Sequence, residues 1–411
     1  MQVMPGRKRR CGGFLRILAA VYGLAAVSSF AASPGLDDSL STALLSLEKG
    51  RLEASLPELI PNLSHLQPEQ IVVLEKALEN SPHLSTAILV LRHDASRNSG
   101  FSAAARRASE LAFKSGQFAL CEDILASHAG DLDSASAHRF LLCSFYAEDR
   151  TDPKAIRLAA AASSSAIEIQ SLAALDLAQS REFREARSFL SGGTPVPVRS
   201  YVEAQELDAA DKTDESMDYF RDALDSKWPE FRVLVMAELF KHYSLTGNRY
   251  KTEQLWDDIK ADEEIDTLSA LKELLAYQLG LRGYEKQARY LYRSLYQSGP
   301  VHPVVLQALW DELIADDSAG LNAHIQALLA VDSLDCNANQ LAMRYAKTQG
   351  QTPGVVRYGQ NVVLYCQDAV EPYLDLANAL LEVGRPSEAR IYFGKYLERG
   401  GDRNNVPTYM R

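Results

Sequence analysis

The chain carries no signature of a known chemistry. It has no Gly-x-Gly-x-x-Gly, no phosphate-loop Gly-Lys-Ser/Thr, no His-Glu-x-x-His, no Gly-x-Ser-x-Gly and no Cys-x-x-Cys-His. Dinucleotide binding, phosphate cradling, zincin-type hydrolysis, the serine elbow and covalent haem therefore lack their residues. The eight histidines (65, 83, 93, 128, 138, 242, 302 and 324) are scattered, with no two at i,i+3 or i,i+4. A metal site built on one helix face is not expected, and no cofactor is expected. Acid pairs such as Asp257-Asp258, Glu263-Glu264 and Asp316-Asp317 fall in expected turns or on helix faces, where carboxylates solvate a surface or favour a helix N-terminus.

Basic runs are equally scarce. Arg7-Lys8-Arg9-Arg10 is the single cluster, and nothing comparable follows it. The whole chain has a net charge of −11, and residues 1–31 hold Arg7, Lys8, Arg9, Arg10 and Arg16 with no acid, so the remainder is more acidic still. Phosphate backbones are gripped by clustered Lys and Arg, which argues against nucleic acid as a partner. Gly (23) and Pro (16) are sparse, while apolar residues make up 46% and charged residues 24%. Such a composition folds, and its abundant Leu and Ala favour helix.

Long apolar runs are absent after about residue 32. The one that exists, Ile17–Ala32, has no charge and spans 16 residues, short of the roughly 20 that a membrane-crossing helix needs. Preceded by the basic cluster and ending in Ser29-Phe30-Ala31, it reads as a secretory signal cleaved after Ala31, with Ala32 as the next candidate. An uncleaved anchor is the alternative. Cys11 precedes the run, which rules against a lipoprotein, and Cys11-Gly12-Gly13 separates the arginines from Phe14-Leu15, against the twin-arginine pattern. The expected location is the bacterial periplasm or the cell exterior, with no membrane span after cleavage. Asn62-Leu63-Ser64 would be a glycosylation sequon only in a eukaryotic secretory pathway.

What is present is a repeat. In the stretch from Pro372 to Glu398, Leu376, Ala377 and Leu380 form an apolar stripe, Gly384 breaks the helix, and Ala389 and Phe393 open a second stripe. Leu275, Ala276, Leu279, Gly283, Ala288 and Tyr292 repeat the pattern and close on Pro300. Small residues recur on a first helix (Ala43, Ser109, Cys143, Ala174, Ala204, Phe240, Ala276, Ala308, Ala342, Ala377) and on a second (Ser55, Cys121, Ala155, Ala186, Ser216, Thr252, Ala288, Gly320, Gly354, Ala389). Antiparallel helices approach closely only where facing residues are small. Phe240 breaks this rule, so its repeat packs differently or the register slips there.

These offsets resemble the tetratricopeptide repeat, whose period is about 34 residues. The resemblance covers residues 36–400, sharpest in 270–300 and 370–400 and weak before 100, where other α-solenoid types would serve as well. It implies an all-α, right-handed α-α superhelix of about ten helix pairs, in which each hairpin nests on its neighbours as one continuous curved rod. The expected organisation is a signal peptide at 1–31, degenerate helical repeats at 32–100, the solenoid at 101–400 and a flexible tail at 401–411. Irregular or short helices are expected over Leu56–Gln70 because of Pro57, Pro61 and Pro68. Gly192-Gly193-Thr194-Pro195-Val196-Pro197 reads as a long turn between repeats, with a hinge as the alternative.

The repeat register also places the four cysteines beyond the signal. Cys336 opens a first helix and Cys366 follows its partner helix, ends that lie together, so a bridge is compatible with the register. Cys121 and Cys143 occupy small positions on consecutive repeats; they are either bridged or free, buried thiols.

Family members bind partners through the inner surface of the first helices. Mapping the partner-facing positions implies contacts from Phe140, Tyr201, Gln205, Lys241, Glu273, Tyr277, Asn339, Met343, Leu374 and Asn378, although any one of them could equally fill a gap between repeats. The carboxylate-gripping Lys and Asn set of the chaperone adaptors is not matched; only Lys241 and Asn378 resemble its parts. The expected function is a non-catalytic scaffold in the cell envelope that binds a protein or peptide. The alternative is the helical superstructure of a cell-wall-active enzyme. Self-association through incomplete end repeats stays open.

Overall fold

The computed structural model describes residues 38–410 apart from 80, 98–99, 116, 148–150, 162–165, 300–301 and 367–369. The expected signal peptide, 1–31, lies outside the described residues. Among those described there is no strand, and no helix is long and apolar enough to cross a membrane. The chain divides into two compact units, 1–65 and 66–411.

In the first unit, α1 (Asp38–Glu48) packs against α2 (Leu52–Leu59) through Ala43, Leu47, Ser55 and Leu56, all buried. Pro57 lies inside α2 rather than ending it, and the chain leaves the helix only before Pro61. Pro68 opens the next helix, a position where its missing N–H costs nothing. The three prolines thus yield short, regular helices with a turn between them.

The second unit is a run of helix pairs. Its early pairs are α3 (Pro68–Glu79) with α4 (Leu84–Ser96), α5 (Ala103–Lys114) with α6 (Phe118–Ala126), and α7 (Ser134–Ala147) with α8 (Pro153–Ala161). Then come α9 (Ile167–Gln179) with α10 (Phe183–Ser188), α11 (Val196–Ala209) with α12 (Thr213–Ala223), and α13 (Pro229–Leu245) with α14 (Arg249–Ala261). After the short α15 (Glu263–Thr267) follow α16 (Ser269–Leu281) with α17 (Glu285–Ser298). The last pairs are α21 (Cys336–Thr348) with α22 (Thr352–Tyr365) and α23 (Glu371–Glu382) with α24 (Pro386–Glu398). Between α17 and α21 lie α18 (Pro303–Ala308), α19 (Trp310–Asp316) and α20 (Ser318–Val331).

The small positions account for the nesting. Ala174, Ala204, Ala276 and Ala377 on first helices, and Ala186, Ser216 and Ala389 on second helices, are fully buried. Gly354 shows the tolerance: a Cβ there would stand 2.9 Å from the Cβ of Ala346 on the facing helix, closer than packed carbons lie. Phe240 does pack differently. It sits buried on the 17-residue α13 and meets Tyr284 edge-on, with ring centroids 4.9 Å apart. Helix α13 is buried on nearly every side, as a helix flanked by layers on both faces must be. At Ala308 the register slips: this residue is exposed, the helix breaks at Leu309, and Leu309 and Trp310 take the buried places instead.

Both cysteine pairs are joined. Cys121 and Cys143 link α6 to α7 with Cα atoms 6.1 Å apart, and Cys336 and Cys366 link the start of α21 to the residue after α22, 5.5 Å apart.

Two expectations are corrected. Residues 401–410 pack against the last pair rather than standing free. Val406 and Met410 are buried in the last hydrophobic core, and the Tyr396 hydroxyl accepts from the Asp402 N–H at 3.0 Å and the Asn405 amide at 3.2 Å. Nor do the hairpins of the second unit touch only their neighbours. His83 Nδ1 lies 2.9 Å from Asp332 Oδ1, and Ser85 Oγ donates to Asp335 Oδ2 at 2.7 Å, joining residues about 250 positions apart. The start of α4 thus meets the loop between α20 and α21. The accumulated rotation from pair to pair brings an early repeat back against a late one.

Candidate functional site

The first helices α7, α9, α11 and α13, with Arg282 at the end of α16, surround a polar cavity of about 260 Å³. Its walls carry Ser144, Asp176, Gln205, Asp208, Glu238 and Lys241, with Arg181 exposed at the edge.

Three clusters organise it. Glu238 interrupts the apolar run of α13 and is buried beside Arg282, 2.7 Å from its guanidinium and 3.4 Å from the Lys241 ammonium. Burial pushes the Glu238 carboxyl up, but the charges of Arg282 and Lys241 outweigh it and hold the group below its ordinary range. Arg282 also donates to the Gln278 carbonyl at 3.0 Å and to its side-chain oxygen at 2.5 Å. In the second cluster, His242 Nδ1 faces Asp208 at 3.5 Å, its ring stacks on Phe220 at 5.2 Å, and its Nε2 is buried without a hydrogen-bond partner. Burial lowers the His242 pKa despite Asp208 and Glu238, so the imidazole is neutral near pH 7.

The third cluster is a chain of hydroxyls. Ser144 Oγ and Thr151 Oγ1 are 2.6 Å apart, and Thr151 donates to Glu122 Oε1 at 2.5 Å. Beside them stands Asp176, 3% exposed, with neither carboxyl oxygen within hydrogen-bond geometry of a partner. Burial pushes its pKa well up; the nearby Ser144 hydroxyl opposes the rise and the Glu122 charge adds to it.

Of the ten residues expected to meet a partner, Gln205 and Lys241 line this cavity. Gln205 is held there by donating its amide to the Tyr201 hydroxyl at 3.0 Å. Glu273, half-buried, lies 3.4 Å from His302, whose pKa it raises by that hydrogen bond. Tyr277 and Asn378 are exposed and Leu374 is half-buried, all away from the cavity. Phe140, Tyr201, Asn339 and Met343 are buried, and Asn339 lies at the wall of a second pocket with Arg357, Tyr358 and Asn361. Phe140 and Tyr201 fill the space between repeats, with the Tyr201 ring edge-on to Phe220 at 5.7 Å and to Phe231 at 5.4 Å. Asn339 caps local backbone, donating to the carbonyls of Ser333 and Asp335 at 3.0 and 2.8 Å. Met343 closes over Gly359, where an added Cβ would meet its methyl at 3.1 Å.

The sequence reading missed Asp176, Asp208, Glu238 and Arg282. A signal existed for two of them: Asp176 in LAALDLA and Glu238 in VMAELF are single charges within otherwise apolar helical runs. Among the described residues, no group of His, Cys, Asp and Glu is arranged to hold a metal ion.

No family model matches the chain, and no curated protein matches it. Solved structures do overlap it. The APC/C hetero-tetramer Cut9-Hcn1 covers 89% of this chain and 88% of its own at 11% identity, with a TM-score of 0.29. The human IFIT1 dimer with m7Gppp-AAAA covers 91% of this chain and 97% of its own at 13% identity, also with a TM-score of 0.29. Overlap this loose carries no weight for fold or role, which rest on the packing of the chain's own helices. That packing makes the described residues of the second unit a run of antiparallel helix pairs with the small-residue offsets of a tetratricopeptide-like repeat.

Proposed function

We propose that the protein is a non-catalytic scaffold, exported to the cell envelope, that holds a polypeptide partner against the inner helices α7, α9, α11 and α13. One observation carries this reading. Consecutive repeats turn polar, unevenly paired side chains into a common cavity, while their outer positions keep the ordinary small and apolar packing. An inner face of this kind offers hydrogen bonds and charge to an extended chain, and desolvated polar groups of mixed type give specificity rather than mere adhesion. Export is supported by the basic cluster and uncharged run of residues 7–32.

The test is positional. A photo-crosslinking residue is placed at Gln205, inside the cavity, and at Tyr219, exposed on a second helix. Partner adducts should form in cells from position 205 and not from 219. Equal labelling from both positions would remove the groove reading. N-terminal sequencing of the protein recovered from cells should begin at Ala32; a chain retaining residue 1 would remove the cleaved signal. Turnover of peptidoglycan by the purified protein would restore the enzyme reading, for which the buried, protonation-prone Asp176 is the residue to mutate first.

A further inference from the structure

Among the described residues, Asp176 is the one carboxyl group with both oxygens buried and outside hydrogen-bond geometry of a partner. Burying a carboxylate without a partner costs several kcal/mol, so folded chains retain one where something other than packing requires it. The stack does not require it. Asp176 stands two residues beyond the small position Ala174; the same offset carries Glu206, His242 and Gln278 in the central repeats and Ala379 in the last pair, which is buried without polar groups to satisfy. An alanine at this place is therefore compatible with the repeat.

The surroundings specify what would relieve the cost. Asp176 opens into the cavity beside Ser144 and Thr151, and Thr151 leads on to the carboxylate of Glu122. The cavity's own cations are engaged or screened. Arg282 and Lys241 are drawn to Glu238, and Arg181 is exposed at the edge, where solvent weakens its field. The Asp176 end is thus a buried, acceptor-rich pocket inside a groove whose cations are engaged elsewhere or exposed. An ionised carboxylate is acceptor-only, and its strongest hydrogen bonds are charge-assisted ones from a cation.

From this geometry we infer that Asp176 is the seat for a single cationic group, an ammonium or guanidinium, carried by the polypeptide bound along the groove. The inference rests on the groove being a partner-binding surface. A volume of about 260 Å³ admits one side chain and some water. Lys241, Arg181 and Arg282 around it disfavour a polybasic stretch, so the cation is an isolated one. Polypeptide is favoured over a free amine because Gln205 and Asp208 continue the polar wall beyond the seat.

The full processed chain is panned against a random heptapeptide library, in parallel with Asp176→Asn and with Asp257→Asn, which alters an exposed carboxylate on α14. Wild type and Asp257→Asn should enrich peptides with Lys or Arg fixed at one position. Acetylating that lysine, or introducing Asp176→Asn, should weaken binding of the best peptide by about tenfold or more. Enriched peptides without a fixed cation, or equal affinity in Asp176→Asn, overturn the seat and leave the groove standing. No enrichment at all overturns both. Spermidine that binds wild type better than any peptide does removes the polypeptide as the cation's source. Folding is a separate readout. Replacing a buried carboxyl whose oxygens lie outside hydrogen-bond geometry of any partner should raise the melting temperature of the free protein, and a fall would end the proposal.

Discussion

The middle of the stack and its C-terminal end use the same packing offsets for opposite purposes. In α21–α24 the small residues bring the helices together, the final segment covers the last pair with Val406 and Met410, and the turn residues Gly350 and Gly384 take the left-handed conformation at φ 65° and 76°. In α9–α13 the same small positions are filled, yet charged groups stand on the inner face, and the turns after α9 and α11 place Arg181 and Asp211 at φ 63° and 59°. Non-glycine residues pay a steric penalty there. The C-terminal pairs are built for stability. The central pairs give some of it up, both in turn geometry and in buried charge, and local sacrifice of this kind concentrates at functional surfaces.

The largest effect should come from unbalancing the central ion pair. Glu238→Ala takes from the half-buried Arg282 its carboxylate partner and should cost about 3–5 kcal/mol by chemical denaturation; a cost under about 1 kcal/mol would mean that the pair is effectively solvated. Next is the contact between early and late repeats. His83→Ala leaves the Asp332 carboxylate buried beside an empty space and should cost about 1–3 kcal/mol. Amide exchange should rise in α4 and in the loop before α21, and unchanged exchange at both would mean that the contact does not couple the two regions.

Exchanging turn residues tests the comparison directly. Gly384→Ala should destabilise and Arg181→Gly should stabilise, each by about 1 kcal/mol. If the two effects shared a sign, turn strain would not distinguish the regions. The finest test is pH. The folded-state pKa of Asp176 is raised by burial, so between the ordinary carboxylate range and that raised value the native state binds more protons than the unfolded one. The contribution of Asp176 to stability therefore falls as pH rises through this window. Asp176→Asn should gain most over wild type near neutral pH and progressively less toward pH 4, as read by thermal melts; a gain independent of pH would refute the assignment.

Much of the scaffold was legible because it depends on local, periodic constraints. The offsets around Ala276, Gly283, Ala377 and Gly384 located hairpins directly, and the spacing of Cys336 and Cys366 fitted the ends of one pair. The reading failed at Ala308, where a helix break after one and a half turns shifts which residues face inward, and composition does not mark such a break. The candidate site was less legible. Positional mapping assumed that every repeat presents the same residues to the groove. Tyr201 and Met343 are instead taken up by packing, Tyr201 against Phe220 and Phe231 and Met343 over Gly359, while Asn339 sits at a separate pocket.

The sequence by itself determined the all-helical class, the pairing of helices and the places where they touch, since helix periodicity and the need for small facing residues act over a few turns. Tertiary structure alone decided that His83 meets Asp332, that the final segment is covered rather than free, and that Asp176, Asp208, Glu238 and Arg282 share one cavity. Those relations depend on small rotations summed over many hairpins. A sequence states each hairpin's own preference, while the sum is set by how every pair settles on the next.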